Sequence, residues 1–316
     1  MSDTLTFRRF GQLIMGLVGL TVLLVFAGVV VRATGSGLGC GTAGGWHDWP
    51  LCHGALLPPG EMTAVIEFTH RAIASVVSTG MLVAVGWLAW TPSLRSRLGG
   101  HMALACTLLV VQIGWGALII RHMVPPELVV THLATALAFF ATMITLGLRA
   151  FRLADGDKDP SEEGREYLGL ALGTTAAIYL QALAGGIVAN FEAGLACPDF
   201  PTCHGEWLPA MVGNVALQML HRYGAYLVTG LVVVLAWRTR HAAGWVRTLP
   251  RLAVGVLALQ VALGILNVLY KLPLVVTAAH HGNAYLLFAL LVALSWRLVT
   301  ARQTLAATVT KVPAAA

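Results

Sequence analysis

Four histidines lie inside long apolar segments, and they carry the chemistry that the sequence offers most clearly. An ionisable side chain is costly inside a bilayer and therefore indicates a functional site. Two neutral imidazoles that face each other across a helical bundle are suitable axial ligands for haem iron. We therefore predict two haem sites, each held by one histidine pair. The candidate pairs are His70 with His132 and His221 with His280.

Other roles for these histidines have to be weighed. A hydrogen-bonded core histidine is the ordinary alternative for any one of them, but their matched places in the repeat described below weigh against it. Zinc or copper would need more ligands close together, and no third intramembrane Cys or His joins either pair. His281 points about 100° away from His280 on a helix and remains a rival ligand. The match of residues 132–136 to 280–284 favours His280.

An acidic side chain distinguishes the first histidine pair from the second. Glu67 lies three residues before His70, and Gln218 lies three residues before His221. A carboxylate buried in a membrane is costly unless it is paired or takes part in function. Pairing with Arg71 at i, i+4 is the structural explanation. A proton donor, a base or a cation-stabilising group beside a reacting haem is the functional one.

Four of the five cysteines are grouped in two loops: Cys40 with Cys52, and Cys197 with Cys203. Cysteine pairs that face an oxidising compartment can form disulfides, either as structural staples or as redox-active pairs near the reacting centre. Zinc bound by these cysteines with His53 or His204 is a weaker option, because the spacings are not of the close C-x₂₋₄-C type. Cys106 lies within a predicted span and is expected to be inert packing.

Composition indicates that membrane helices position these residues. Of the 316 residues, 57% are hydrophobic and 11% are charged, whereas soluble domains carry about 25% charged residues. Hydrocarbon does not satisfy loose backbone polar groups, so helices with about 20 apolar residues are expected. The predicted spans are 11–32, 63–90, 101–121, 127–150, 166–190, 213–237, 249–270 and 274–299.

Basic residues are distributed unequally among the loops. Most of the 20 Lys and Arg residues lie in alternate loops, beginning with Arg8 and Arg9, while the opposite loops carry only Arg32, Arg121 and Lys271. The positive-inside rule then predicts a multi-pass plasma-membrane protein with both termini in the cytoplasm and the cysteine loops on the outer face. The net charge of +6 follows from this topology and does not indicate nucleic-acid binding.

The two halves of the chain are related by an internal repeat. His70-Arg71 matches His221-Arg222 at an offset of 151, and residues 52–54 match 203–205 at the same offset. Gln112 and His132 match Gln260 and His280 at a slightly shorter one. Each copy has an even number of spans, so the repeat is parallel. We predict an all-α integral membrane fold of eight helices in two parallel-repeat four-helix bundles, 1–151 and 166–316, joined by a polar cytoplasmic linker, 152–165.

Several motifs resemble those of the haem A synthase family. In the first copy they are residues 35–40 (GSGLGC), 48–52 (DWPLC) and 66–71 (IEFTHR). In the second copy, residues 197–203 and His221-Arg222 extend the resemblance, which covers about residues 10 to 300. The longer loop from Gly41 to His47 departs from the pattern and bears on the geometry of the Cys40–Cys52 pair.

The resemblance implies an enzyme that oxidises a methyl substituent of haem O to a formyl group, giving haem A for terminal oxidases. It implies that His70 and His132 bind the substrate haem, that His221 and His280 hold a haem b cofactor (iron protoporphyrin IX), and that Glu67 is catalytic. Haem O synthase is the expected haem donor, the electron acceptor is undefined, and a homo-oligomer is compatible with the sequence. The alternatives are a dihaem b-type cytochrome that only transfers electrons, and a transporter or assembly factor whose histidines relay protons.

Overall fold

The structure is a computed structural model that describes residues 3–42, 47–48, 51–156 and 164–309, with side chains as far as residue 301. These residues are helical throughout apart from turns and loops, and eight of the helices are long and apolar enough to cross a membrane. They are α1 (Asp3–Ala33), α2 (Met62–Trp90), α3 (Pro92–Arg121), α4 (Pro126–Ala154), α5 (Leu168–Asn190), α6 (Gly213–Arg238), α7 (Gly244–Leu269) and α8 (Leu274–Val309).

All eight predicted spans are confirmed, and every helix except α5 (Leu168–Asn190) is longer than its predicted apolar segment. Helix α1 begins at Asp3, α3 begins at Pro92 and α8 continues to Val309. Hydropathy marks the part of a helix that lies in hydrocarbon, whereas the backbone hydrogen bonds of a helix continue beyond it. The predicted linker is therefore shorter than expected, since α4 reaches Ala154, and residues 157–163 lie outside the described residues.

The helices contact one another in two closed rings. In the first ring α1 packs on α2, α2 on α3, α3 on α4 and α4 on α1; in the second, α5 to α8 repeat this order. The rings meet through α1 against α8 and through α4 against both α5 and α8. This is the contact pattern expected of two four-helix units side by side. The functional division into units 1–151 and 166–316 remains a prediction.

Small residues let the two rings approach closely. A Cβ added at Gly282 of α8 would lie 1.9 Å from the ring of Phe26 on α1, and one at Gly186 of α5 would lie 2.5 Å from Leu133 of α4. Each glycine therefore receives a side chain from the other ring. Close backbone approach at small residues is a common means of association between membrane helices. Here it holds the two helix rings, each with its histidine pair, against each other.

Candidate functional site

The first pair of histidines comes from α2 and α4, and each ring packs against a glycine of the preceding helix. A Cβ at Gly28 of α1 would lie 3.1 Å from Cε1 of His70, and a Cβ at Gly116 of α3 would lie 3.8 Å from Cε1 of His132. The amide nitrogen of Gln112 lies 2.9 Å from Nε2 of His132. Each imidazole therefore lies between its own helix and the helix that precedes it.

The second pair repeats this arrangement on α6 and α8. A Cβ at Gly185 of α5 would lie 3.0 Å from Cε1 of His221, and one at Gly264 of α7 would lie 3.1 Å from Cε1 of His280. The amide nitrogen of Gln260 lies 3.2 Å from Nε2 of His280. The two sites are therefore built from repeat-equivalent residues on equivalent helices.

A polar residue one turn beyond the α4 or α8 histidine orients each glutamine. Thr135 donates its hydroxyl hydrogen to Oε1 of Gln112, and Asn283 donates from Nδ2 to Oε1 of Gln260 at 2.8 Å. With Oε1 engaged in this way, the amide nitrogen of each glutamine faces the histidine ring. In the second site Nδ1 of His280 also lies 3.2 Å from the backbone carbonyl oxygen of Gln260. A hydrogen bond there would leave Nε2 as the ligand atom.

The histidine rings fit haem ligation. His132 lies close enough to His70, and His221 to His280, for the members of each pair to interact electrostatically. Nδ1 of His70 and Nδ1 of His132 are buried and form no hydrogen bond within the described residues. Buried polar atoms normally have a partner, so in the first site the described part of the protein leaves one nitrogen of each imidazole without one. Among the described residues, no group of three His, Cys, Asp or Glu side chains could hold a bare metal ion.

His281, the rival ligand, has different surroundings from its neighbour. Its ring lies 6.0 Å from that of His280, at 86° to it. Only His280 has the glutamine and the glycine that surround His132 in the first site. His281 also lies within electrostatic range of His221 and of Arg32 on α1, where the two helix rings meet. The geometry therefore favours His280 as the ligand.

The carboxylate of Glu67 is 3% exposed and fully engaged. Oε1 forms an ion pair with the guanidinium of Arg71, and Oε2 accepts a 2.9 Å hydrogen bond from the backbone N–H of Cys40. Arg71 also donates to the carbonyl oxygens of Asp48 and Leu51. The i, i+4 pairing considered from the sequence is therefore present, and it extends from α2 into the first cysteine loop.

The equivalent position in the second site is arranged differently. Gln218 is buried, and its Oε1 has no hydrogen-bond partner in the described part of the chain. Arg222 turns wholly to the second loop, where it donates to the carbonyl oxygens of Thr202 at 2.6 Å and Cys197 at 2.8 Å. Arg71 thus divides its donors between the negative charge of Glu67 and the first loop, whereas Arg222 directs its donors to the second loop.

Both predicted disulfides are present: Cys40 is bonded to Cys52, and Cys197 is bonded to Cys203. All four cysteines are fully buried. An isolated antiparallel bridge follows each pair, Cys52 with Ala55 and Cys203 with Glu206. Most of the expanded first loop, residues 43–46, lies outside the described residues. Each disulfide closes a loop over the end of the helix that carries a candidate ligand.

Asp199 organises the second loop. Its carboxylate accepts hydrogen bonds from the hydroxyl of Thr202 at 2.6 Å and from the backbone N–H groups of His204 at 2.7 Å and Gly205 at 2.9 Å. The Thr202 hydrogen bond, followed by those from the backbone, holds the pKa of this carboxyl well below its usual range. Three donors directed at one carboxylate keep the turn after Cys203 in one conformation.

One site contact was missed in the sequence. Gln181 of α5 places its amide nitrogen 2.9 Å from Nδ1 of His221. A polar residue within an otherwise apolar span could have drawn attention to this position, because such residues are uncommon there. Its partner was not predictable, since the register between α5 and α6 depends on tertiary packing.

Comparison with known proteins identifies the family that this chain matches. It matches, over residues 11–292, the family described as "Cytochrome oxidase assembly protein" (COX15-CtaA). It is 30% identical over 279 residues to the "Heme A synthase" of Symbiobacterium thermophilum, covering 83% of this chain and 86% of the relative. It is also 30% identical over 293 residues to that of Lysinibacillus sphaericus, covering 85% and 89%. The identity to that of Shewanella oneidensis is 27% over 319 residues, covering 87% and 92%.

Proposed function

This chain belongs to the haem A synthase family, and we propose that it oxidises a methyl substituent of haem O to a formyl group, giving haem A. Membership of the family makes it a multi-pass membrane protein of haem A formation for cytochrome oxidase. The observation that carries the proposed reaction is an asymmetry. The two histidine pairs share their glycine and glutamine contacts, but only the first has an acid, Glu67, where the second has Gln218.

The first site is proposed to hold haem O between His70 and His132. Gly28 and Gly116 let each imidazole lie against the backbone of the preceding helix. The amide nitrogen of Gln112 lies against the lone pair of Nε2 of His132, and an iron bound to Nε2 would displace this amide. Nothing in this arrangement is covalent, so a haem can be exchanged as substrate and product.

Glu67 is proposed to act on the substrate's methyl group. Oxidation through an alcohol to a hydrated aldehyde, which then loses water, takes up oxygen from water or dioxygen. With water as the source, it releases protons beside the porphyrin and electrons that pass to an external acceptor. A carboxylate there can stabilise developing positive charge or accept a proton. Arg71 and the N–H of Cys40 hold the carboxylate in one position, and charge-assisted hydrogen bonds of this kind suit its anionic form.

The second site is proposed to hold haem b between His221 and His280. Haem b would supply one-electron chemistry, accepting electrons from the first site and passing them to an acceptor outside the protein. The chain's own part is to orient the ligands. Asn283 fixes the amide of Gln260, and Gln260 fixes the ring of His280. Gly185 allows His221 to approach α5.

The orientation and partners follow from the sequence and belong to the same proposal. Both termini are placed in the cytoplasm and both disulfide loops on the outer face of the plasma membrane, where an oxidising environment preserves disulfides. Haem O synthase is proposed as the donor of haem O. An electron acceptor is required, and a homo-oligomer is compatible with this arrangement.

Chromatography of extracted haems tests the reaction. Purified protein incubated with haem O and with oxygen or another electron acceptor should convert it to haem A while retaining haem b, and an incubation without any oxidant should leave haem O unchanged. Unchanged haem O with only haem b recovered would contradict the proposal. A dihaem b-type electron carrier would then remain, and the full engagement of Glu67 by Arg71 and Cys40 is the observation that favours this alternative.

A further inference from the structure

His221 has a side-chain contact that His70 lacks. The amide nitrogen of Gln181 lies 2.9 Å from Nδ1 of His221 and donates to the backbone carbonyl oxygen of the same residue at 2.8 Å. Gln181 lies on α5, so the contact joins two neighbouring helices of the second ring. Because one amide touches both the ring and the backbone of His221, it restricts the position of that ring.

A glycine provides the space for this contact. A Cβ added at Gly224 of α6 would lie 2.1 Å from Oε1 and 3.2 Å from Cδ of Gln181. Atoms do not approach so closely, so any larger residue at this position would push the amide away from His221. Gln181 and Gly224 therefore act together: the glutamine reaches the histidine only because the glycine leaves room.

The first helix ring, α1 to α4, has neither the glutamine nor the glycine. The spacing that relates Gly28 to Gly185 and Cys40 to Cys197 places Leu24 at the position equivalent to Gln181. The spacing that relates His70 to His221 places Ile73 at the position equivalent to Gly224. Nδ1 of His70 is buried and directed toward the backbone carbonyl of Leu24 without a hydrogen bond of normal geometry. Both differences remove the same contact from the first site.

We propose that Gln181, in the space left by Gly224, is a positioning residue that fixes the His221 ligand of the cofactor haem. The inference rests on the proposed function, which assigns haem b to this site. Histidine ligands generally hydrogen-bond through the second ring nitrogen, which fixes their orientation and raises their basicity. The difference between the sites is therefore one of kind: a side-chain amide lies at Nδ1 of His221, whereas Nδ1 of His70 is directed toward the backbone carbonyl of Leu24.

The chemistry requires the amide to serve as an acceptor when iron is bound. Coordination through Nε2 leaves the imidazole proton on Nδ1. The amide nitrogen now at this position would then be replaced by Oε1, through a half-turn of the amide about its Cγ–Cδ bond; the hydrogen bond to the carbonyl oxygen of His221 would be lost, and Oε1 would move away from that oxygen. An acceptor at Nδ1–H increases electron donation from the imidazole to iron. It therefore stabilises the oxidised haem and lowers its midpoint potential.

A double-mutant cycle in the full-length, haem-loaded protein tests this coupling. Gln181→Ala should raise the haem b midpoint potential, alter its low-spin electron paramagnetic resonance signal and weaken haem b retention by about 10- to 100-fold. Gly224→Ala should shift the potential in the same direction, because its methyl group displaces the amide. In the Gln181→Ala background, Gly224→Ala should add little, since no amide is left to displace. Leu24→Ala, the matched change in the first ring, should leave the haem b potential unchanged.

The outcomes separate the inference from the proposed function. A haem b signal and potential that are the same in Gln181→Ala as in the unaltered protein would overturn the inference alone. Additive effects of Gln181→Ala and Gly224→Ala would also overturn it, because the two residues would then act independently. Absence of haem b from the unaltered protein would overturn the proposed cofactor site and this inference with it.

Discussion

The backbone N–H of Cys40 donates a 2.9 Å hydrogen bond to Oε2 of Glu67, so the first disulfide loop is tied directly to the acid beside the first histidine pair. The second loop has no such link, because Gln218 stands in the equivalent position with Oε1 unpartnered in the described part of the chain. The difference between an acid and an amide at this position thus coincides with a difference in how the disulfide loop is attached. Substitutions of the acid and of the loop can test each difference separately.

Glu67→Gln tests the acid itself. The change keeps the shape of the side chain but removes its charge, so haem b should remain bound with a normal spectrum. Haem A formation should fall by about 10²- to 10⁴-fold, which is the usual cost of losing one positioned acid or base. Haem O or its alcohol should accumulate on chromatography of extracted haems. The matched change, Gln218→Glu, should mainly perturb the haem b potential. Near-normal haem A from Glu67→Gln would leave Glu67 as the ion-pair partner of Arg71 alone.

Removing the first disulfide tests the loop. Replacing Cys40 and Cys52 with Ser should release the loop that positions the Cys40 N–H, since a disulfide typically contributes about 2–4 kcal/mol to the stability of the folded chain. Haem A formation should fall while haem b is retained. The matched pair of changes at Cys197 and Cys203 should instead weaken haem b binding. Mass spectrometry of unreduced, alkylated peptides should find both bonds in the parent protein, and equal effects of the two paired changes would argue against a specific link to Glu67.

Gly185→Ala tests the close approach of His221 to α5. The new methyl group would lie 3.0 Å from Cε1 of His221 and force the ring to shift, and overpacking of this kind costs about 1–3 kcal/mol. We expect loss or a shift of the haem b absorption bands. Gly173→Ala on the same helix is the control, because no atom lies within 4 Å of its added Cβ. Identical spectra for the two variants would contradict the packing role of Gly185.

The ligand on α8 can be assigned by two neighbouring changes. His280→Ala should abolish or shift the low-spin haem b spectrum, because His280 has the glutamine and glycine environment of His132. His281→Ala should leave that spectrum in place, although it can reduce stability where the helix rings meet. Optical and electron paramagnetic resonance spectra of both purified variants would decide. The reverse result would show that the register taken from the repeat is wrong by one residue.

Topology can be tested by reporter fusions. A reporter at Ala316 should be active only in the cytoplasm, and one inserted within residues 41–50 should be active only outside, because the loop charges follow the positive-inside rule. Seven spans, α2 to α8, lie between residues 41–50 and Ala316, an odd number, so the two reporters should lie on opposite sides of the membrane. Same-side activity would be incompatible with eight spans in this orientation.

The sequence by itself determined the features that depend on composition and local spacing. The eight spans follow from the length of the apolar segments, because the bilayer imposes one thickness on every helix. The repeat follows from His70-Arg71 and His221-Arg222 and from the matching cysteine loops. The sequence also predicted both disulfides, since two cysteines in one short loop have few other partners.

Tertiary structure decided the features that depend on how neighbouring helices are rotated and aligned. The sequence placed Glu67 and Arg71 one helical turn apart but gave no reason for the carboxylate to reach Cys40. Among the 34 glycines, it did not distinguish Gly282, which receives Phe26, from Gly173, which faces open space. It did not pair Gln181 with His221, because a contact between two helices depends on their relative rotation and height. Spacing along one helix fixes which side chains share a face, whereas only the packed bundle fixes what that face meets.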